Sequence, residues 1–191
     1  METLVKDKRY TYADYRNLDV DDNYYYELID GELVKKSAPS PRHQTVLMNL
    51  IRIVDRVVFE KKLGKVLCAP VDVFVDDYNA PQPDLLFVSN EHKDFITQDG
   101  VFGPPDLVVE VVSPTSISRD YVKKLRIYER FGVPEYWIVN PVNRSVEVYQ
   151  LVSLANHSKE YDLFSSAVET GKVQSKVLVG LELDIKNVFE E

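Results

Sequence analysis

PDLVVEVVSPTSISRDYVKKLRIYERFGVPEYWIVNP, residues 105–141, decides the fold. It opens on a valine-rich run at 106–112 and closes on a second apolar run at 135–140. Valine on both faces of a strand asks for burial on both faces. Between the runs, Thr115, Ser116 or Ser118 can cap a helix that reaches about Phe131, where Gly132 and Pro134 stop it. Strand, helix, strand is a βαβ-like crossover, and it implies a sheet covered on at least one face. One residue sits badly in this pattern. Glu110 lies between Val109 and Val111, where a carboxylate costs several kcal/mol unless it is paired, hydrogen-bonded or holding a cation. Glu110 is therefore either a satisfied structural residue or part of a site.

Working outward, Thr11 caps a short helix over YADY, and YYYELIDGELVKK (24–36) reads as two strands around an Asp30-Gly31 hairpin turn. In SPRHQTVLMNLIRIVDRVVFEKKLGK (40–65), Ser40 is an N-cap and Pro41 fits the first helical position. Val46, Leu47, Leu50, Ile51, Val54, Val57 and Val58 form one face of that long helix, and Lys61, Lys62 and Gly64 mark its end. Residues 65–77 read as a strand, with Val71, Val73 and Val75 alternating. A short apolar strand begins at Asp84, and 89–105 is a polar connection. RSVEVYQLV (144–152) pairs as a hairpin with 135–141, and EYDLFSS and SKVLVGLELDI are further short strands. The expected fold is α/β (α+β), a central mixed sheet flanked by helices, as a single domain over 1–191.

Composition narrows the function. A chain of 191 residues can bury roughly 70% of its unfolded surface without other help. The lone cysteine, Cys68, excludes a disulfide framework and fits a reducing compartment. METLVKDKRY has no apolar run of the secretory kind, and no segment is long enough to span a bilayer, so a cytoplasmic location is expected. With 23 basic and 31 acidic residues the net charge is −8, which disfavours non-specific binding of nucleic acid by bulk attraction. A local basic rim, or a metal bridging protein to phosphate, escapes that objection.

Asp84 and Glu110 each belong to an apolar strand that reads as central. If the strands are neighbours, the carboxylates converge, and paired hard oxygens suit Mg²⁺, or Mn²⁺, rather than zinc. Asp120 and Lys124 are four apart on the next helix and share a face. Lys124 lies at the border of the buried side and can reach a cleft on its stem. Two carboxylates, a metal that polarises a phosphodiester and a nearby ammonium form a hydrolytic set. Ser113 lacks a histidine–carboxylate partner and is no nucleophile. Tyr128 and Trp137 read as packing residues.

YELIDGEL (26–33), SPRHQ (40–44), QPDLLFV (82–88), PDLVVEVVSPTS (105–116), RDYVKKLRIYERFGVPEYWIVNP (119–141) and VEVYQL (146–151) together resemble the Uma2 family of restriction-endonuclease-like proteins. That family belongs to the PD-(D/E)XK nuclease superfamily, and the resemblance covers about residues 10–188. It implies a restriction-endonuclease-like core with a carboxylate site at one sheet edge. It makes Asp84 the PD aspartate and Glu110 the second acid, both metal ligands, and Pro105-Asp106 a decoy. The superfamily lysine normally follows the second acid by two residues, but position 112 is Val. Uma2 members share that departure and keep a lysine on the next helix, here Lys124. Glu27 is the family's early glutamate, an auxiliary acid at the site's edge, and His43 its histidine before the long helix, able to donate to a phosphate or hold Glu27.

The resulting expectation is a Mg²⁺-dependent endonuclease hydrolysing DNA phosphodiester bonds, with catalytic residues Asp84, Glu110, Lys124, Glu27 and His43. Arg42, Arg52, Lys123 and Arg126 would supply the basic patch, and a homodimer would match the two strands of a duplex. The alternative is a catalytically weak nuclease-like scaffold used for protein interaction or oligomerisation. Hydrolysis of a smaller phosphate substrate is a third reading.

Overall fold

The structure, a computed structural model, describes residues 8–19 and 24–190. Helix α1 (Tyr12–Arg16) starts at a capping box in which Thr11 and Asp14 satisfy each other's backbone N–H. Strands β1 (Tyr25–Ile29) and β2 (Glu32–Lys36) form a separate two-stranded ribbon. Its turn uses positive φ at both Asp30 (52°) and Gly31 (79°), the conformation a tight two-residue hairpin needs.

Helix α2 (Pro41–Lys61) is capped by Ser40, whose hydroxyl accepts from the His43 N–H at 3.2 Å. Val46, Leu47, Leu50, Val54 and Val58 are buried, and Ile51 and Val57 pack beside them, so the apolar face runs as its spacing requires. The left-handed residue at its end is Lys62 (φ 53°) and not Gly64. Gly64 instead opens β3 (Gly64–Cys68), where a Cβ would lie 2.1 Å from the Val88 carbonyl oxygen. It is a site of close strand approach.

The central sheet has the order β3-β4-β5-β6-β7-β8. Its remaining members are β4 (Leu85–Ser89), β5 (Leu107–Val111), β6 (Glu135–Asn140), β7 (Ser145–Ser153) and β8 (Lys159–Val168). Only β5 and β6 pair in parallel, so the sheet is mixed and the crossover read from 105–141 is its one parallel step. The crossover helix α3 (Arg119–Phe131) begins as a wide π-type stretch over Arg119–Lys124 and tightens to α-helix from Leu125. It covers one face of the sheet, against Leu86, Val88, Val108, Val112, Tyr136 and Ile138. Helix α2 covers the other, against Leu85, Phe87, Leu107, Val109, Val111 and Trp137. A C-terminal layer of β9 (Lys172–Gln174), β10 (Glu182–Asp184) and α4 (Ile185–Val188) completes that second face.

Two strand expectations fail. Beyond Cys68 the 65–77 segment leaves the sheet: Pro70 has no N–H to give a ladder, and Val73 and Phe74 donate instead to the Pro81 and Val101 carbonyls. SKVLVGLELDI is strand only at Glu182–Asp184, because its first half turns to wrap the buried Glu135 carboxylate. Among the described residues no helix is long and apolar enough to cross a membrane.

Candidate functional site

Carboxylates interrupt the face of the sheet under α3: Glu147 of β7, held by the Tyr121 and Tyr149 hydroxyls, and, at the other end, Glu110. Leu85 pairs with Val109 in antiparallel register, so one step further Asp84 stands opposite Glu110. Directly opposed residues on one face have Cβ atoms about 4.5–5.5 Å apart. Asp84 ends the irregular segment that enters β4, and its Oδ2 accepts the Val111 N–H at 2.8 Å. His43, in the first turn of α2, puts Nε2 3.3 Å from the same oxygen. His43 therefore holds Asp84, and the expected contact with Glu27 is not made.

Lys124 reaches this point from α3. Its Nζ lies 2.8 Å from Glu110 Oε1, 2.9 Å from Glu27 Oε2 and 3.8 Å from Asp120 Oδ1. The amine thus comes to the second acid from the helix, while Val112, where the superfamily lysine would stand, packs in the core at 3% exposure. Glu27 is no edge residue. It is fully buried, and β1 delivers it there because Leu28 and Ala80 exchange backbone hydrogen bonds that tie the ribbon to the segment before Asp84. Lys123 faces solvent and pairs with Glu32.

Four contributors, Tyr128, Arg119, Gln82 and Lys36, were not among the expected site residues. Tyr128, read as packing, donates its hydroxyl to Glu110 Oε1 at 3.0 Å. Arg119 brings Nε to 3.2 Å from Glu27 Oε1. Gln82 donates its N–H to Glu27 Oε2 at 3.2 Å, and its carbonyl accepts from Lys36 Nζ at 2.8 Å. The signal for Gln82 was available: between Pro81 and Pro83 it owns the one N–H of the tripeptide. Arg119 was hidden because residues five apart share a face only where the helix widens.

The charges interlock. Burial, followed by repulsion from Asp120, Asp84 and Glu27, outweighs Lys124 and pushes Glu110 up to about 8. Both donors to Glu110 fall on Oε1, at 2.8 Å from Lys124 Nζ and 3.0 Å from the Tyr128 hydroxyl. Burial works against the charge on Lys124, but Glu110, Glu27 and Asp120 hold its pKa above the usual lysine value. The two directions are compatible, since Glu27 and Asp120 remain as counter-ions when Glu110 is neutral. Glu27 is also opposed by burial, yet Lys124, Lys36 and Arg119 keep it below the usual carboxylate range. Burial raises Asp120, whose Oδ1 has no hydrogen-bond donor. Burial likewise opposes ionisation of Asp84, but His43 and Lys36 lower it, and Asp84 in turn raises His43 against the cost of its own burial.

A divalent cation can be tested against this donor set. Among the described residues no three His, Cys, Asp or Glu side chains converge as a ready-made cage. Mg²⁺ does not need one, because it keeps several waters and is commonly held by one or two carboxylates with substrate phosphate. Asp84 and Glu110 supply two hard oxygens, and the excess of buried carboxylates over ammonium is relieved by a cation. The residues fit Mg²⁺ or Mn²⁺ held in that sparse manner.

The Uma2 family model, described as "Putative restriction endonuclease", matches residues 12–186. The chain belongs to the Uma2 family. This Uma2 chain is also similar to a protein from Anabaena variabilis whose crystal structure is described as that of "a putative nuclease belonging to DUF820". The two are 17% identical, with 94% of this chain and 97% of that chain covered and a TM-score of 0.72. At that identity the likeness is one of fold, and the fold is the restriction-endonuclease-like core expected for the Uma2 chain. No protein of curated function matches it.

Proposed function

We propose that this protein is a Mg²⁺- or Mn²⁺-dependent endonuclease hydrolysing DNA phosphodiester bonds. The observation that carries the reading is the opposition of Asp84 and Glu110 on the α3 face of the sheet, with the Lys124 amine 2.8 Å from Glu110. Asp84 and Glu110 would hold the cation, which when bound polarises the phosphodiester and acidifies a water. Asp84 is kept ionised by His43 and the Val111 N–H, ready to bind. Glu110 would bind as the carboxylate, any proton it carries passing to solvent. Lys124, then less occupied by Glu110, stays charged against Glu27 and Asp120 and can orient the attacking water or stabilise developing negative charge. Glu27 positions that amine, and His43 positions Asp84.

A second reading, the catalytically weak scaffold, draws on burial. The Lys124 side chain is 2% exposed and that of Glu110 4%, as in a structural ion cluster. Against it, Asp84 and His43 keep 13% and 14%, an opening on the metal-ligand side. A supercoiled-plasmid assay with Mg²⁺ or Mn²⁺ separates the readings. Nicking is expected from the intact chain, with a loss of at least about 100-fold in Asp84→Asn and in Glu110→Gln. Equal nicking by both variants, or none by the intact chain, would favour the scaffold.

A further inference from the structure

Four carboxylates meet at the site: Glu27, Asp84, Glu110 and Asp120. Three lysine or arginine cations face them, Lys124 at the centre and Lys36 and Arg119 near Glu27. With the carboxylates ionised and His43 neutral, the site is one positive charge short of balance. A divalent cation converts that deficit to one surplus positive charge. One phosphodiester anion then closes the balance, and the question is which protein group meets it.

Lys124 cannot be the first contact, because it is buried beneath its three carboxylates. Arg119 can. Its side chain is 25% exposed, whereas Glu27, its partner, is fully buried. The pairing is poor: Nε lies 3.2 Å from Glu27 Oε1, yet neither atom has a hydrogen-bond partner. Buried donors and acceptors are nearly always paired, and an arginine in a structural salt bridge normally engages its carboxylate through a two-pronged fork. Among the described residues Glu27 is the only ion-pair partner of Arg119, and no hydrogen bond reaches its terminal nitrogens. The widened turn over Arg119–Lys124 matters here, since i→i+5 bonding sets Arg119 and Lys124 on one face toward Glu27. Lys36, half-buried, spends one hydrogen on the Gln82 carbonyl and has two left.

We propose that Arg119, with Lys36 anchored nearby on the Gln82 carbonyl, is a substrate-contacting residue that binds a backbone phosphate of the nucleic acid at the mouth of the site. The proposal rests on the nuclease reading and names the cations that receive its substrate. It also explains how a chain of net charge −8 can meet an anion: attraction is confined to the site and completed by the metal.

The test is binding without turnover. Fluorescence anisotropy would follow a labelled DNA duplex in Ca²⁺ at several salt concentrations, for the intact chain, Arg119→Gln, Arg119→Lys and Lys36→Gln. Mn²⁺ calorimetry on the same proteins reads the metal site separately, and thermal melts check folding. Arg119→Gln is expected to weaken duplex binding about 10-fold or more and to reduce the slope of log K against log salt by about 0.9, while Mn²⁺ binding persists. Arg119→Lys keeps the slope with weaker affinity, because it retains the charge and loses the fork, and it serves if the glutamine variant does not fold. Lys36→Gln should lower the slope similarly. Unchanged affinity and slope in Arg119→Gln, with binding by the intact chain, would overturn the proposal and leave the nuclease reading standing. Absence of duplex binding by the intact chain would overturn both.

Discussion

Glu110 and Glu135 sit on neighbouring strands of one sheet, on opposite faces, and both are buried: Glu110 is 3% exposed and Glu135 0%. Their surroundings differ in kind. Glu135 accepts four hydrogen bonds: Trp137 Nε1 at 2.7 Å, the Ser175 hydroxyl at 2.7 Å, and the Lys176 and Val177 N–H groups at 2.6 and 3.2 Å. No other carboxylate contributes to that set. It is a carboxylate for which the protein has replaced the hydrogen bonds of water in full. Glu110 accepts two hydrogen bonds on one oxygen and stands among Asp84, Glu27 and Asp120. A carboxylate whose oxygens are all met by donors is architecture, whereas an over-crowded one is pushed toward its neutral form.

The largest expected effect attacks the crowded site at its centre. Lys124→Met leaves Glu27, Glu110 and Asp120 buried without their shared ammonium and should cost about 3–5 kcal/mol in urea denaturation. A cost below about 1 kcal/mol would mean that water already reaches the cluster. Next, Glu135→Gln turns an amide N–H₂ toward donors that need an acceptor and should cost about 2–3 kcal/mol. Glu110→Gln, by contrast, replaces a group whose neutral form burial favours, and its stability should stay within about 1 kcal/mol of the parent. If the two glutamine variants are equally destabilised, the contrast between the glutamates fails.

Magnesium should separate them again. At 10–100 times its dissociation constant, Mg²⁺ should raise the stability of the intact chain and of Glu135→Gln by about 1.4–2.7 kcal/mol, and of Glu110→Gln and Asp84→Asn not at all. Thermal melts across a Mg²⁺ titration read this directly. The finest test is pH dependence in the metal-free chain. The folded state holds the Glu110 proton more tightly than the unfolded chain does, so this group stabilises the fold at low pH. Its contribution is lost as pH rises from about 4.5 to about 8. Asp84 and Glu27, with lowered pKa values, act in the opposite sense and only in acid. Subtracting the Glu110→Gln curve from that of the intact chain should leave a fall between those limits. A flat difference would mean that Glu110 is ionised throughout.

Much of this was readable from local pattern. Valine on both faces at 106–112 and 135–140 required a covered sheet, and the helix between them required the parallel step. Asp84 and Glu110 stood out as acids in apolar strands, and Lys124 followed from its spacing to Asp120. Pattern failed where an environment is assembled from distant segments. Val71, Val73 and Val75 alternate like a strand, but Val73 and Val75 donate to the Pro81 and Asn79 carbonyls, and Phe74 to that of Val101. Glu135 passed unnoticed because its four donors come from 137 and from 175–177.

Arg119 was invisible as a site residue for a related reason. Helical spacing assumes one pitch, and α3 changes pitch inside the motif. By itself, then, the sequence determined most of the elements, the mixed sheet, and Asp84 and Glu110 as acids set in apolar strands. Tertiary structure alone decided which acid is solvated and which is crowded, and which cation reaches it. Periodicity is a property of neighbours along the chain, whereas the ionisation of a buried carboxylate depends on every charge and dipole brought within a few ångströms by folding.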